Sequence, residues 1–104
     1  MHLVKRIEVI SDSVELEKIV RALEHEGVSS YTVIRNVGGK GVKGTVSSTF
    51  DITSLENDYV IAFCMPDQVK PLVEAIRPIL NRFGGSCYIS DCMEVRSMQC
   101  VASL

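Results

Sequence analysis

The chain has 104 residues, of which 46% are hydrophobic and 23% are charged, and its net charge is −2. This composition is typical of an ordinary folded domain, here residues 1–104, and argues against a disordered chain. Eleven basic residues against thirteen acidic ones do not supply the dense positive surface that general nucleic-acid binding needs, so we expect no nucleic-acid partner.

The apolar runs and the cysteines indicate the compartment. No run is long enough to cross a membrane and no export signal opens the sequence, so we expect a cytoplasmic protein with reduced thiols. The cysteines form no CxxC pair and have no histidine near them in sequence; they are Cys64, Cys87, Cys92 and Cys100. The sequence therefore predicts no metal site.

The first quarter of the chain predicts a strand and a helix. Leu3 to Ile10 alternates apolar and polar residues, as a strand with one face on a core does. Asp12 or Ser13 offers an N-cap oxygen, and Gly27 is expected to end the helix. The helix should bury an apolar stripe of Val14, Leu16, Ile19, Val20 and Leu23. Its carboxylates, Glu15 among them, predict a solvated face.

A second strand and a long loop are expected next. Ser30 to Val37 is rich in β-branched residues and stops at the pair Gly38-Gly39. From Lys40 to about Asn57 the sequence has glycine, serine, threonine and scattered charges without a period. A compact domain rarely keeps so long a loop unless the loop has a function.

The second half predicts another strand, helix and strand. Asp58 to Met65 is an apolar run that predicts a strand buried on both faces. The helix should begin near Pro66 and carry a stripe of Val69, Leu72, Val73, Ile76, Ile79 and Leu80. Pro78 lies inside this helix and should kink or shorten it. Gly84-Gly85 closes the helix, and Cys87 to Val95 predicts the last strand.

This order predicts an α+β fold, the ferredoxin-like βαββαβ sandwich with two helices on one face of a four-stranded antiparallel sheet. The other face of the sheet carries apolar residues and has no helix to cover it. Oligomerisation through that open face would cover it, and a ring of identical subunits would create clefts between subunits.

The end of the second strand is a candidate anion site. Glycine residues expose backbone N–H groups there, and Lys40 and Lys43 bring mobile positive charge, a combination that suits phosphate. The same residues could also be simple turn glycines and solvated loop charges. The P-loop ending Gly-Lys-Ser/Thr is missing, and we find no catalytic constellation, so we expect no enzyme.

The order of elements and three short segments resemble the PII signalling superfamily. The segments are Gly27 with Tyr31-Thr32-Val33, then Val37 to Gly41, and finally Phe83-Gly84-Gly85 leading through Tyr88-Ile89 to Glu94-Val95. The chain is most similar to the PII-like branch that contains the SbtB proteins and the carboxysome-associated PII proteins. The likeness covers nearly the whole chain.

This resemblance implies a homotrimer whose intersubunit clefts bind an adenine nucleotide. The long loop, about residues 40–57, would be the T-loop of the family, and residues 96–104 would be a C-terminal extension. The T-loop would dock on a partner, such as a bicarbonate transporter in a membrane, in inorganic-carbon or nitrogen metabolism. The resemblance implies no cofactor, only the regulatory nucleotide, with bicarbonate as a candidate second ligand.

The resemblance also suggests which residues bind the nucleotide: Gly39, Lys40, Gly41, Lys43, Phe83, Gly85, Ser86 and Cys87. Two lysines suit AMP, ADP or cyclic AMP better than a triphosphate. Cys92 and Cys100 form a candidate redox pair, as a C-terminal cysteine pair does in some SbtB proteins. Two alternatives stay open: a metal-tolerance trimer of the CutA kind, and an ACT-like regulatory domain that binds a small molecule.

Overall fold

The computed structural model describes residues 1–28, 30–38 and 57–96. In chain order they form β1 (His2–Asp12), α1 (Leu16–His25), β2 (Tyr31–Val37), β3 (Asn57–Cys64), α2 (Val69–Phe83) and β4 (Ser86–Glu94). Short 3-10 turns, Ser13–Glu15 and Pro66–Gln68, lead into the two helices. No helix in this part of the chain combines the length and the apolar character that a membrane crossing requires.

The strands form one antiparallel sheet in the order β2-β3-β1-β4. β1 is central and pairs on both sides, so that Ile7 lies opposite Ala62 of β3 and Ile89 of β4. The predicted ferredoxin-like arrangement of two helices and four antiparallel strands is confirmed.

The core lies between the sheet and the two helices. Alternation sends every second side chain toward the helices, and from Ile7 to Ser11 in β1 and from Asp58 to Cys64 in β3 these side chains are almost fully removed from water. The buried core residues are Ile7, Val9, Ile19, Leu23, Val28, Val60, Ala62, Cys64, Leu72 and Ile76. Burial of these apolar side chains is the main stabilising contribution to the fold.

The start of the first helix differs from its prediction. The Asp12 carboxylate caps the turn, because its Oδ1 accepts a hydrogen bond from the Val14 amide at 3.0 Å. The turn that follows has the tighter 3-10 winding, so the helical period fails at its first residues. The predicted places are exchanged as a result: Val14 is 80% exposed, and Glu15 is only 5% exposed and ion-paired with Lys18.

The end of the first helix follows its prediction. Gly27 has a φ of 84°, a left-handed conformation that glycine adopts without steric cost. The Val28 amide donates to the Leu23 carbonyl and the Gly27 amide to the Glu24 carbonyl, which satisfies two carbonyls of the last turn. Gly27 therefore ends α1 in a Schellman motif.

The second helix continues through its interior proline. α2 extends from Val69 to Phe83, five residues beyond Pro78, so the expected shortening is wrong. Pro78 lies on the exposed side of the helix, where water can reach the carbonyl that the ring leaves without a donor. Packing of Leu72 and Ile76 in the core holds the two halves of α2 on the sheet.

The sheet face opposite the helices is open, and β3 is buried on one face only. Asp58, Val60, Ala62 and Cys64 point into the core, whereas Phe63 on the other face is 47% exposed. The prediction that β3 is buried on both faces is therefore wrong for the single chain. Its uninterrupted apolar run gives a second apolar surface on the open face.

Candidate functional site

One end of the sheet brings together the segments that the sequence singled out. Ile10, near the end of β1, lies opposite Tyr59 at the start of β3 and opposite Ser86 at the start of β4. Val37, the last residue of β2, lies opposite Asn57. We call this the site end of the sheet.

Half of the predicted nucleotide-binding residues lie outside the described residues. They are Gly39, Lys40, Gly41 and Lys43, with the rest of the T-loop up to residue 56. The expected T-loop boundary at 57 falls on Asn57, which is already the first residue of β3. Most of the C-terminal extension, residues 97–104, is also outside the described part, and Cys100 with it.

The two groups of predicted site residues come from opposite edges of the sheet. β2, which leads into Gly39–Lys43, is one edge strand, and β4, which begins with Ser86 and Cys87, is the other. Three strand spacings, roughly 14 Å, separate these edges. Within one chain, a small ligand at the β4 edge is therefore out of reach of residues directly at the end of β2.

A groove of about 420 Å³ runs between α2 and the outer edge of β4. Gly85, Ser86 and Cys87 line it at the site end. Arg77 and Asn81 of α2 also line the groove, although they are not among the site residues predicted from the sequence. Their signal is the helical spacing: both follow the apolar stripe of α2 by one position and so lie at its border beside β4.

The backbone of β1 lies very close to Gly85. A Cβ at this position would stand 2.5 Å from the Ile10 carbonyl oxygen, and the φ of Gly85 is 116°. Both observations require glycine at the junction between α2 and β4. Gly85 therefore has a structural role at the site end in addition to its predicted one.

Phe83 faces away from the groove, toward α1. The Lys18 ammonium lies 4.2 Å from the centre of its ring, and the Arg82 guanidinium carbon lies 5.2 Å from it. These distances fit cation–π contacts on the ring. The structure thus brings Gly85, Ser86 and Cys87 together in the groove but directs the Phe83 ring to the helical layer.

The described thiols have the properties of buried or idle cysteines. Burial raises the pKa of the Cys87 thiol, and burial together with the nearby Asp67 raises that of Cys64. Both thiols are thus kept in the protonated form, which is a poor nucleophile. Cys92 lies opposite Val4 on β1, and its pairing with Cys100 remains a prediction because Cys100 is not among the described residues.

A polar network lies at the centre of the open face. The Tyr59 hydroxyl donates a hydrogen bond to Glu8, and the Arg6 Nε lies 3.1 Å from the other Glu8 oxygen. The hydrogen bond to Glu8 raises the pKa of Tyr59, which keeps the phenol neutral. In the register of the sheet, Glu8 lies opposite Ile61 of β3 and Tyr88 of β4, and Arg6 lies opposite Phe63 of β3.

The described residues contain no group of histidine, cysteine and carboxylate side chains that could hold a metal ion. The metal ligands that a CutA-like trimer would need are therefore not grouped together in this part of the chain.

The comparison with known proteins gives a family and a set of similar structures. The family model described as nitrogen regulatory protein P-II matches residues 4–99. CPII from Thiomonas intermedia K12, solved with ADP and bicarbonate, is similar with a TM-score of 0.78 and 25% identity over 91% of each chain. No curated protein sequence matches the chain significantly.

Two further structures extend this comparison. CPII bound to ADP, AMP and bicarbonate, a nitrogen regulatory PII-like protein, has a TM-score of 0.78 and 25% identity over 93% of this chain and 98% of that one. A DUF3240 family protein from Shewanella baltica OS155 has a TM-score of 0.71 at 15% identity, over 94% of this chain and 99% of that one, which shows the fold alone. Because the family model covers residues 4–99, the chain belongs to the nitrogen regulatory protein P-II family.

Proposed function

We propose that this chain is a PII-like regulatory protein that binds an adenine nucleotide in clefts between the subunits of a homotrimer. The T-loop, about residues 40–57, would change its arrangement with occupancy and carry the signal to a partner. A regulatory role without catalysis agrees with the P-II family to which the chain belongs.

The observation that carries this proposal is the position of the two candidate walls. The strand ends from which these walls begin, the end of β2 and the start of β4, lie at the same end of the sheet but on opposite edges. In a cyclic assembly the β2 edge of one subunit can face the β4 edge of the next, because each subunit presents two different surfaces to its neighbours. A ligand held between subunits would then contact both groups of residues.

The similar structures support the choice of ligand. CPII was solved with ADP and bicarbonate, and also with ADP, AMP and bicarbonate. For this chain we propose AMP, ADP or cyclic AMP, since Lys40 and Lys43 supply only two positive charges from the T-loop side. We propose bicarbonate as a second ligand because the CPII structures contain it together with the nucleotides.

Each predicted residue has a proposed role in the cleft. Lys40 and Lys43 neutralise phosphate, and Gly39 and Gly41 let the backbone approach it closely. On the facing wall, the groove formed by Gly85, Ser86 and Cys87 would receive the base. Phe83 would support this wall from the side of α1.

Three further parts of the proposal depend on the resemblance of the sequence to the SbtB proteins and the carboxysome-associated PII proteins. They are membership of the SbtB and carboxysome branch, a membrane transporter such as a bicarbonate transporter as the partner, and a cytoplasmic location. The family match and the CPII structures support this proposal over a CutA-like trimer or an ACT-like domain.

Isothermal titration calorimetry of Lys43→Ala with ADP and AMP tests the proposal. Loss of one lysine–phosphate contact should weaken binding about tenfold while the trimer stays intact. Lys70→Ala on the exposed surface of α2 is the matched control, because it removes the same charge away from the site end. Wild-type protein that binds none of the adenine nucleotides, or that is a monomer, would contradict the proposal.

A further inference from the structure

A buried carboxylate lies at the site end of the sheet without a role in the proposed function. Asp58, the second residue of β3, is 0% exposed. Burying a carboxylate costs several kcal/mol unless other groups hydrogen-bond to it or pair with its charge. The partners of Asp58 therefore indicate what this position does.

Those partners come from the two segments on either side of it. Asp58 Oδ1 accepts a hydrogen bond from the Ser13 hydroxyl at 2.9 Å and another from the Asn36 backbone amide at 3.0 Å. Asp58 Oδ2 lies 3.5 Å from the Arg35 Nε. One carboxylate thus joins the start of the first helical segment to the end of β2.

The end of β2 is irregular where Asp58 holds it. Ile34 lies opposite Tyr59 and Val37 opposite Asn57, so β2 uses one residue more than β3 between these pairs. Asn36 lies in this bulge with a φ of 60°, the left-handed region. A residue with a side chain pays a steric penalty there, and the bond from its amide to a charged acceptor offsets that penalty.

We propose that Asp58 is a positioning residue that fixes the left-handed bulge at Asn36 and so sets the direction in which the chain leaves β2. This inference rests on the proposed function, because residues 39–43 just beyond the bulge are the proposed phosphate ligands. Asp58 is fully buried, so its proposed role is indirect. It fixes the backbone from which those residues begin.

The test uses three variants: Asp58→Ala, Asp58→Asn, and a double variant that carries both Asp58→Ala and Asn36→Gly. Asparagine retains an oxygen that can accept both hydrogen bonds, whereas alanine removes them. Glycine adopts a left-handed φ without a side-chain penalty and should restore the bulge without the anchor. Removing the carboxylate does not leave its partner Arg35 as a buried unpaired charge, because the Arg35 side chain is 61% exposed. Asp58→Ala is therefore expected to fold.

Two measurements on the full trimer are needed: amide hydrogen exchange at Asn36 by NMR, and ADP affinity by calorimetry. Asp58→Ala should exchange about tenfold faster at Asn36 and bind ADP about tenfold more weakly, because it loses bonds to a charged acceptor. Asp58→Asn should retain most of the affinity. The double variant should recover ADP binding although its Asn36→Gly change adds no contact.

The outcomes separate this inference from the proposed function. If Asp58 only stabilises the fold, Asp58→Ala will melt at a lower temperature and bind ADP like the wild type, which would overturn the inference. Failure of Asn36→Gly to restore affinity would overturn it as well. If the wild type binds no adenine nucleotide, the proposed function is wrong. If amide exchange at Asn36 is unchanged in Asp58→Ala, Asp58 does not fix the bulge and the inference is wrong. Should Asp58→Ala alone be too unstable to purify, the double variant still decides: it should fold and bind ADP like the wild type, and a double variant that is equally unstable or binds ADP weakly would overturn the inference.

Discussion

Gly85 shows how a single residue can be recognised from sequence for one reason and required by the structure for another. The sequence assigned it to a nucleotide pocket by resemblance, and the structure adds that the Ile10 carbonyl and the Ser11 Cα leave no room for a Cβ. Only the folded chain brings β1 against the junction between α2 and β4. A contact between residues so far apart in sequence has no signal in local periodicity.

Gly85→Ala should lower the free energy of unfolding by about 2 kcal/mol or more, because a left-handed backbone and a backbone clash both oppose it. Gly27→Ala is the control: its φ is also left-handed, but its Cβ would meet only a side-chain atom, the Gln68 Nε2 at 3.3 Å, and no backbone atom. It should cost about 1 kcal/mol. Urea unfolding at one fixed subunit concentration gives both values. Equal losses would show that the Ile10 carbonyl can move away.

The exchange of Val14 and Glu15 marks the limit of pattern reasoning at this scale. A period of 3.6 residues places Val14 in the apolar stripe and Glu15 in water, and the 3-10 turn reverses both. The Asp12 cap was foreseen, but the winding of the turn after it was not. The buried position of Asp58 was not predicted for a related reason. A single carboxylate at the start of an apolar run is typical of an exposed residue at the strand boundary.

At the scale of elements, the sequence predicted every strand and helix that the structure describes, in the right order and to within two residues at the strand ends. Alternation gave β1, β-branched residues gave β2, and an apolar run gave β3. Each of these signals is local, so it survives without knowledge of the partner strand. The bulge in β2 could not be predicted, because it depends on the register with β3 and on Asp58.

α2 holds two prolines in different surroundings, and they give a matched pair of variants. Pro78→Ala should raise the free energy of unfolding by about 1 to 2 kcal/mol. The folded helix regains an interior hydrogen bond, and the larger conformational entropy of the unfolded chain without proline cancels part of this stabilisation. Pro71→Ala should change it little, because an amide in the first helical turn has no acceptor in the helix. Thermal and urea unfolding measure both. A Pro78→Ala protein no more stable than Pro71→Ala would mean that packing has already compensated for the missing bond.

At the scale of the whole molecule, the open face of the sheet is the feature that a single chain leaves unexplained. Phe63, Ile34 and Tyr88 are large exposed side chains on this face, and the neutral Tyr59 with its Glu8 and Arg6 partners lies among them. An exposed apolar surface whose polar groups are paired with one another is typical of a surface that another subunit covers. The sequence predicted the surface from β3 but could not predict the polar network, which needs side chains from two strands.

Phe63→Glu should convert the proposed trimer to monomers, because it replaces a large apolar side chain of the open face with an additional charge. Val14→Glu is the control: it makes the same kind of change at an exposed residue far from this face. Light scattering coupled to size-exclusion chromatography gives the mass of each. A Phe63→Glu protein that still elutes as a trimer would show that subunits meet elsewhere.

The side-chain amide of Gln68 joins the two helices at the end of the molecule opposite the site end. Gln68 accepts from the Met65 amide and donates to the Glu26 carbonyl, so it clamps the start of α2 to the end of α1. At the site end the helices meet instead through Phe83 and the exposed Lys18, a contact that water weakens. The Gln68 amide therefore ties the two helices together through backbone atoms, and it does so at the end of the molecule that lies away from the site end.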